Sequence, residues 1–415
     1  RPASLYTVAE KAQPNLGLLV DVAIGIKCFG VATTYLIVVG DSLPLALEPL
    51  GATGALLDRR LWSALAALAV APLAYRKRMD GLRHTSLIAI LSVLVIMAVV
   101  IAFAIGPALS PALDPCASTS AQSSCRAEGA EVVCSCRGPV VAVSDASSIL
   151  RALPIYTFAY TCHQNIVSIS NEMALDGRPA PERVIRVIQG ALPFALAVYF
   201  SVAVAGYSTF GNRVAHDVLT SYPSSPLVSG ARLLVAVLVM FSYPLQSHPG
   251  RACALSIASA AAAALERRRR QRSGPRAISS SQAHSATPDG SSRRKGSLDH
   301  MTRCRQWPCF FNGPSEDPTG LPLPPLTESD TARALATTLF LAVTTSTAMA
   351  LDDLGIVLSV VGATGSVVVT YLLPGFCYYR LCRQPRSWLR RAALLQTLLG
   401  AILMPVSLAL IMTKK

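Results

Sequence analysis

The stretch from Leu153 to Ile169, LPIYTFAYTCHQNIVSI, decides what a chain like this can fold into. Its 17 residues make a helix of about 26 Å at ~1.5 Å per residue, barely enough to cross a bilayer. Both ends are apolar, yet the middle is an unbroken polar run, Tyr160-Thr161-Cys162-His163-Gln164-Asn165. Facing lipid, that run would leave amide and imidazole groups unsatisfied, at several kcal/mol each. It must therefore face protein, water or a ligand. The stretch reads as a broken, site-forming helix with the other spans as its housing. A soluble core helix with polar residues is the plainer alternative, but the neighbouring segments are too long and too apolar for it.

Composition supports a membrane setting. The 415 residues are 52% hydrophobic and only 14% charged, against about 25% charged in soluble domains. The net charge of +14 does not point to nucleic acid, because the arginines sit in loops rather than on one face with interleaved aromatics. Nine runs qualify as spans, approximately 16–40, 61–75, 86–106, 153–169, 187–205, 227–245, 334–350, 354–379 and 393–411. Basic loops carry Arg76-Lys77-Arg78 with Arg83; Arg178, Arg183 and Arg186; Arg267 to Arg270; and Arg380, Arg383, Arg386, Arg390 and Arg391. The loops between them are poorer, with Arg59 and Arg60, Arg126 and Arg137, Arg213, and finally Asp352-Asp353. This alternation is what nine spans starting in the cytosol require.

The first span holds Asp21 and Lys27, six residues apart and hence not an obvious ion pair. Lys27 shares a small, polar face with Gly30, Thr34 and Asp41, expected to point into the bundle. The lysine either snorkels to the cytosol, pairs structurally, or serves transport. The loop before the polar helix carries Cys116, Cys125, Cys134 and Cys136 on the non-cytosolic side, where at least one disulfide is expected; their spacing fits no zinc ribbon or finger. Near the end of the sixth span Pro244 removes the helical partner of the Met240 carbonyl, with the Ser242 hydroxyl in the same turn, a plausible half of a cation site. Residues 266–328 are rich in Ser, Pro and Gly and expected to be disordered; Cys304 and Cys309 there lack a second ligand pair for a metal. Arg293-Arg294-Lys295-Gly296-Ser297 reads as charged linker or as a phosphorylation site. Thr344-Thr345-Ser346-Thr347 either line a pathway or bond back to their own helix. Gly362-Ala363-Thr364-Gly365-Ser366 permit close helix approach rather than phosphate binding, since no strand precedes them and no Lys follows.

Several strings together resemble the amino acid/auxin permease family, in particular its vacuolar and sodium-coupled neutral amino acid transporter branches. They are Lys27-Cys28-Phe29-Gly30-Val31, Tyr35-Leu36-Ile37-Val38-Val39-Gly40-Asp41, Thr161-Cys162-His163-Gln164-Asn165, Phe241-Ser242-Tyr243-Pro244-Leu245-Gln246, Asp352-Asp353-Leu354-Gly355 and Val360-Val361-Gly362-Ala363-Thr364-Gly365. The resemblance implies an all-α polytopic membrane protein with two inverted five-span repeats, of whose eleven spans nine are present. The chain begins Arg1-Pro2 without Met, and the resemblance implies that the first two spans, one of them the partner broken helix, precede it. Residues 1–106 would complete the first repeat, 107–146 form the cysteine loop, 147–265 open the second repeat, 266–328 be a cytosolic insertion, and 329–415 hold the last three spans. Carried over residue by residue, the resemblance makes Ala159, Tyr160, Thr161, Cys162 and His163 the unwound substrate contact, with Thr34 and Tyr35 facing it. Met240 and Ser242 would hold the coupling ion.

The expected activity is secondary active amino acid transport driven by a proton or sodium gradient, with an amino acid and the lipid bilayer as partners and no cofactor beyond the coupling cation. The membrane would be vacuolar, lysosomal or plasma. A nutrient sensor signalling through 266–328 is the second reading. A membrane enzyme using Cys162 and His163 is disfavoured, because helical neighbours diverge by about 100° and no carboxylate in the motif orients the histidine.

Overall fold

The apolar runs fold as helices in the order α1 (Leu5–Ala12), α2 (Leu16–Leu47), α3 (Arg59–Ala74), α4 (Arg83–Leu109), α5 (Ala146–Ala159), α6 (His163–Glu172), α7 (Pro181–Phe210), α8 (Pro226–Arg272), α9 (Asp330–Ala350), α10 (Leu354–Val361), α11 (Leu373–Leu381) and α12 (Trp388–Met412). Two π-helical turns, Gly362–Ser366 and Val368–Leu372, join α10 to α11. The computed structural model describes residues 5–76, 83–109, 114–116, 125–128, 131–134, 136–142, 145–173, 181–272, 329–351, 353–382 and 388–413. Among the described residues, six helices are long and apolar enough to cross a membrane: Leu16–Leu50, Leu87–Leu109, Glu182–Arg213, Pro226–Glu266, Leu354–Leu381 and Trp388–Met412.

A helix apolar on every side has to be enclosed, and α2 is the axis of the bundle. Of its apolar window 67% is buried, against 6% for α7 and 17% for α12, whose faces are left for lipid. α2 lies along α8, and around this pair the side chains of Leu36, Val70, Val239, Tyr243, Leu341 and Val361 form the main core. The start of α2 is held by Glu10 of α1, whose carboxylate accepts the N–H groups of Asn15 at 3.0 Å and Gly17 at 3.2 Å. This serves the orphan donors that every helix N-terminus presents. Asp58, Ser329 and Asp353 cap α3, α9 and α10 in the usual side-chain manner.

Buried cations close three helix ends. Arg232, 1% exposed, gives its guanidinium to the carbonyls of Leu45 at 3.0 Å, Leu219 at 3.0 Å and Tyr222 at 2.7 Å, tying the end of α2 to the segment before α8. Arg251 reaches the carbonyls of Ala74 at 2.7 Å and Arg76 at 3.0 Å, the end of α3. A cation at carbonyl ends of this kind is favoured by the helix dipole. Lys27 makes the third such contact.

The cysteine loop is only partly helical in its surroundings. It contains a two-stranded antiparallel hairpin, β1 (Cys125–Glu128) with β2 (Glu131–Cys134), in which Cys125 lies opposite Cys134. Cys116 and Cys136 are disulfide-bonded, with Cα atoms 5.5 Å apart, and Arg137 pairs with Asp114 at 2.8 Å. The following strand of chain is stitched to the end of α7: Gly138 N–H donates to the Phe210 carbonyl at 2.9 Å, and Asn212 N–H to the Pro139 carbonyl at 3.2 Å. Gly211 makes this approach possible with φ +59°, and a Cβ there would run into the Gly138 carbonyl. Nearby, burial pushes the Asp217 carboxyl up from its ordinary value, while the Leu219 N–H and the Arg232 charge pull it down.

Two segments differ in extent from the sequence reading. The polar-centred segment is longer than 153–169, its halves running from Ala146 to Glu172. The sixth run does not stop at Leu245; α8 passes through Pro244 and Pro249 and continues to Arg272, into the segment assigned to the insertion. The rest of that insertion, with Cys304, Cys309 and Arg293 to Ser297, lies outside the described residues, as do Lys77, Arg78, Arg178, Asp352, Arg383 and Arg386. The hydroxyls of Thr344, Thr345, Ser346 and Thr347 all bond back to carbonyls four residues earlier, at 2.7–2.8 Å.

Candidate functional site

The polar run does break its helix. α5 ends at Ala159, α6 starts at His163, and Tyr160, Thr161 and Cys162 between them leave the α-helical pattern. The Thr161 N–H turns back to the Phe158 carbonyl at 3.1 Å and the Cys162 N–H to the Tyr160 carbonyl at 3.1 Å. The break therefore frees carbonyls at the end of α5 and N–H groups at the start of α6.

Tertiary partners hold it open. The Lys27 ammonium of α2 donates to the Thr161 carbonyl, and Lys27 is only 2% exposed. It does not snorkel; it is spent inside the bundle. The Thr161 hydroxyl donates to the Thr157 carbonyl and meets the Thr370 hydroxyl at 3.0 Å. Thr370 belongs to the second π-helical turn, and its own carbonyl accepts from the Gln396 side chain at 2.9 Å. Wide π turns recur at functional sites, and this one presents a threonine to the break. On the other side the Tyr199 hydroxyl of α7 donates to the Ala159 carbonyl at 3.4 Å, and its ring meets that of Tyr160 edge-on at 5.3 Å.

Small residues let these parts meet. A Cβ at Gly365 would stand 2.7 Å from the Ala23 carbonyl oxygen and 3.0 Å from the Lys27 backbone nitrogen, so α2 lies directly on the π turn. Gly362 lies equally close under the Pro154 backbone of α5. The stretch Gly362 to Ser366 thus acts as the close-approach surface its composition implies.

Of the substrate-contact candidates, Ala159, Tyr160, Thr161, Cys162 and His163 share the break. His163 opens α6 with a buried Nδ1 that has no hydrogen-bond partner, and Cys162 is exposed. Thr34 is buried on α2 but donates to its own Gly30 carbonyl at 2.9 Å. Tyr35 is packed against the main core, as Phe158 and Met240 also are, and faces Gln246 of α8. The Gln246 Oε1 atom is buried without a partner. Ser242 donates to the Leu238 carbonyl at 2.8 Å, one turn back, rather than to the carbonyl freed by Pro244. Its oxygen lone pairs remain available to a cation.

Sequence reading underrated Lys27, Thr370 and Gln246. The signal was present for Lys27, a charge inside an apolar span. For Thr370 and Gln246 the sequence carried none, because their roles come from packing.

The chain matches the family model described as transmembrane amino acid transporter protein over residues 7–414. It is similar to vacuolar amino acid transporter 6 of Saccharomyces cerevisiae, 29% identical over 384 residues that cover 91% of this chain and 76% of the relative. It is likewise similar to vacuolar amino acid transporter 5 of Schizosaccharomyces pombe, 28% identical over 91% of this chain and 69% of the relative. Human sodium-coupled neutral amino acid transporter 7 is 27% identical over 57% of this chain and 47% of its own length. With a match across nearly its whole length, the chain belongs to the transmembrane amino acid transporter family.

Proposed function

We propose that the chain is a secondary active carrier of amino acids in a vacuole-type membrane, and that the break at Tyr160–Cys162 receives the substrate. The observation that carries this reading is the break itself, an interruption inside an apolar bundle kept open by Lys27 and Thr370. Freed carbonyls suit a substrate ammonium and freed N–H groups its carboxylate, which is what a zwitterion asks of a split helix. His163 Nδ1 and Gln246 Oε1, both buried and unmatched, add polar capacity on the flanks.

In this reading α3, α5–α6 and α9 cross the membrane beside the six longer helices. The pair α5–α6 opens the second of two inverted repeats. Thr34 and Tyr35 face the substrate, and the Met240 carbonyl with the Ser242 hydroxyl contributes to a cation site for a proton or sodium ion. The names of the relatives, vacuolar and sodium-coupled, support a gradient-driven carrier without choosing the ion.

The test is uptake of labelled amino acids into vesicles containing the protein, with and without an imposed proton or sodium gradient. Accumulation is expected only with a gradient; equal uptake in both removes the coupling. Ser242→Ala is expected to weaken the dependence on the coupling ion, and an unchanged ion profile would move the ion site elsewhere.

A further inference from the structure

The seam between α2 and α8 holds a carboxylate that nothing above uses. Asp21 is 7% exposed. Its Oδ1 lies 3.8 Å from the Cys253 thiol, and Ser256, one turn on along α8, faces the same carboxylate. Its Oδ2 is buried with no hydrogen-bond partner, and among the described residues Asp21 enters no ion pair. A thiol and one hydroxyl are a thin supply for a group with about four acceptor positions. An ionised carboxylate in apolar protein is costly without cationic or hydrogen-bonding partners, and in a span such a group is a functional candidate by default.

The surroundings make a proton the fitting ligand. The apolar cluster around the seam is Ala9 and Ala12 of α1, Val20, Ala23, Ile24 and Cys28 of α2, Cys253 of α8, Val369 of the second π-helical turn, and Leu373 with Cys377 of α11. The titratable members of that cluster are the thiols of Cys28, Cys253 and Cys377, the second of which faces Asp21 directly, and Glu10 of α1 is engaged at the start of α2. Among the described residues the hydroxyl that reaches Asp21 is that of Ser256, short of the oxygen shell a metal cation needs, and no group of three or more His, Cys, Asp or Glu comes together to hold one. Asp21 is also only five residues from the start of α2, about 7.5 Å along the axis, so a proton from water has a short way to travel.

We propose that Asp21 is a proton-binding site whose protonation permits close packing of the α2–α8 seam. The carboxylate takes one proton from the aqueous phase and becomes a neutral acid; no other bond changes. The neutral acid tolerates the apolar seam, whereas the anion draws water into it and favours a looser one. Both helices also carry the candidate substrate and ion residues, Lys27, Thr34 and Tyr35 on α2 and Met240, Ser242 and Gln246 on α8. A proton at one end of the seam is thereby linked to the geometry further along it. As a coupling site this rests on the transport reading above; as a proton site it does not.

The experiment uses the full chain in proteoliposomes and has two arms. In the first, infrared difference spectra between acid and alkaline buffer are expected to show a protonated-carboxyl band that is lost in Asp21→Asn. In the second, Asp21→Asn is expected to keep exchange of labelled amino acid across the membrane while losing accumulation driven by a pH gradient. A wild-type protein that transports but lacks the band overturns the proposal and leaves transport standing. A titrating band without transport does the reverse. PH-driven accumulation by Asp21→Asn equal to wild type, or loss of a sodium response instead, also overturns it. Should Asp21→Asn not assemble, Asp21→Glu must shift the band, and an unshifted band has the same consequence.

Discussion

Several helices of this bundle meet an obstacle, and α8 and the α5–α6 segment answer theirs in opposite ways. α8 contains Pro244 and Pro249 and runs unbroken from Pro226 to Arg272. The α5–α6 segment has no proline nearer than Pro154, yet it opens at Tyr160 to Cys162. Proline removes a hydrogen bond from a helix, but in a bundle neighbouring groups and hydroxyls absorb the loss. In α8 the nearby serines are bonded to other carbonyls, Ser247 to that of Pro244 at 3.3 Å and Ser242 to that of Leu238 at 2.8 Å, and the helix stays whole around the Met240 carbonyl that Pro244 frees. At the break the partners come from other helices instead, Lys27 from α2 and Thr370 from the π turn. What opens a membrane helix here is a supply of tertiary partners for its freed groups, not the residue that frees them.

The sharpest way to attack that contrast is to remove the cation. Lys27→Met keeps the length and apolar stem but leaves the Thr161 carbonyl without its ammonium. A hydrogen bond to a charged group is worth about 1.5–3 kcal/mol, so uptake efficiency is expected to fall about 10–100-fold. Arg251→Met should act differently, since that guanidinium ends α3 at Ala74 and Arg76 rather than the broken helix. Thermal stability in detergent should drop for Arg251→Met, whereas for Lys27→Met the loss should appear in uptake. If both variants lose only stability, the break is an ordinary helix end.

Closing the gap between α2 and the π turn comes next. Gly365→Ala puts a methyl 2.7 Å from the Ala23 carbonyl oxygen, a backbone atom that cannot swing aside. Overpacking of this kind costs about 1–3 kcal/mol and should push α2, with Lys27, away from Thr161. Lower melting temperature together with reduced uptake is the expected result, and full uptake would show that the two elements are not mechanically joined.

How much of this was written in the chain can be judged from the same residues. The break was legible, because a polar run inside an apolar span has no other outlet than protein, water or ligand. The close-approach role of Gly362 to Ser366 was legible for a similar reason, small residues in a span. The extent of α8 was not, since the prolines and the arginine run after Glu266 both argue locally for an end while packing of the helix body overrides them. Nor were the partners of Lys27 legible: a lysine inside a span announces itself, but Thr161 lies 134 positions away and only the fold brings them together. The cysteine loop falls between, its tendency to crosslink readable from compartment and its pairing of Cys116 with Cys136 not.

Smaller effects should follow from the threonine pair. Thr161→Val and Thr370→Val each remove one hydroxyl from the 3.0 Å contact between the break and the π turn. A neutral hydrogen bond contributes about 1 kcal/mol net, so each variant should lose close to that much stability. Thr161 also serves the Thr157 carbonyl, and its replacement should therefore cost somewhat more than that of Thr370. Because both act on one contact, the double variant should lose less than the sum of the two singles. Additive losses would mean that the hydroxyls are satisfied separately and that the π turn does not brace the break.

The least effect is expected from Pro244→Ala. If the proline merely bends α8 and its surroundings already accommodate the freed carbonyl, restoring the N–H returns one hydrogen bond while asking the helix to straighten against α2. These two changes oppose each other, so melting temperature and uptake under a fixed gradient should stay near wild type. The coupling ion offers the finer reading. A Met240 carbonyl that binds the cation would be recaptured by the new N–H, and the ion concentration giving half-maximal uptake would rise even though the helix is sound. A large loss of uptake with unchanged ion dependence would instead make the bend itself part of the working geometry, and the contrast between the broken helix and the unbroken one would no longer hold.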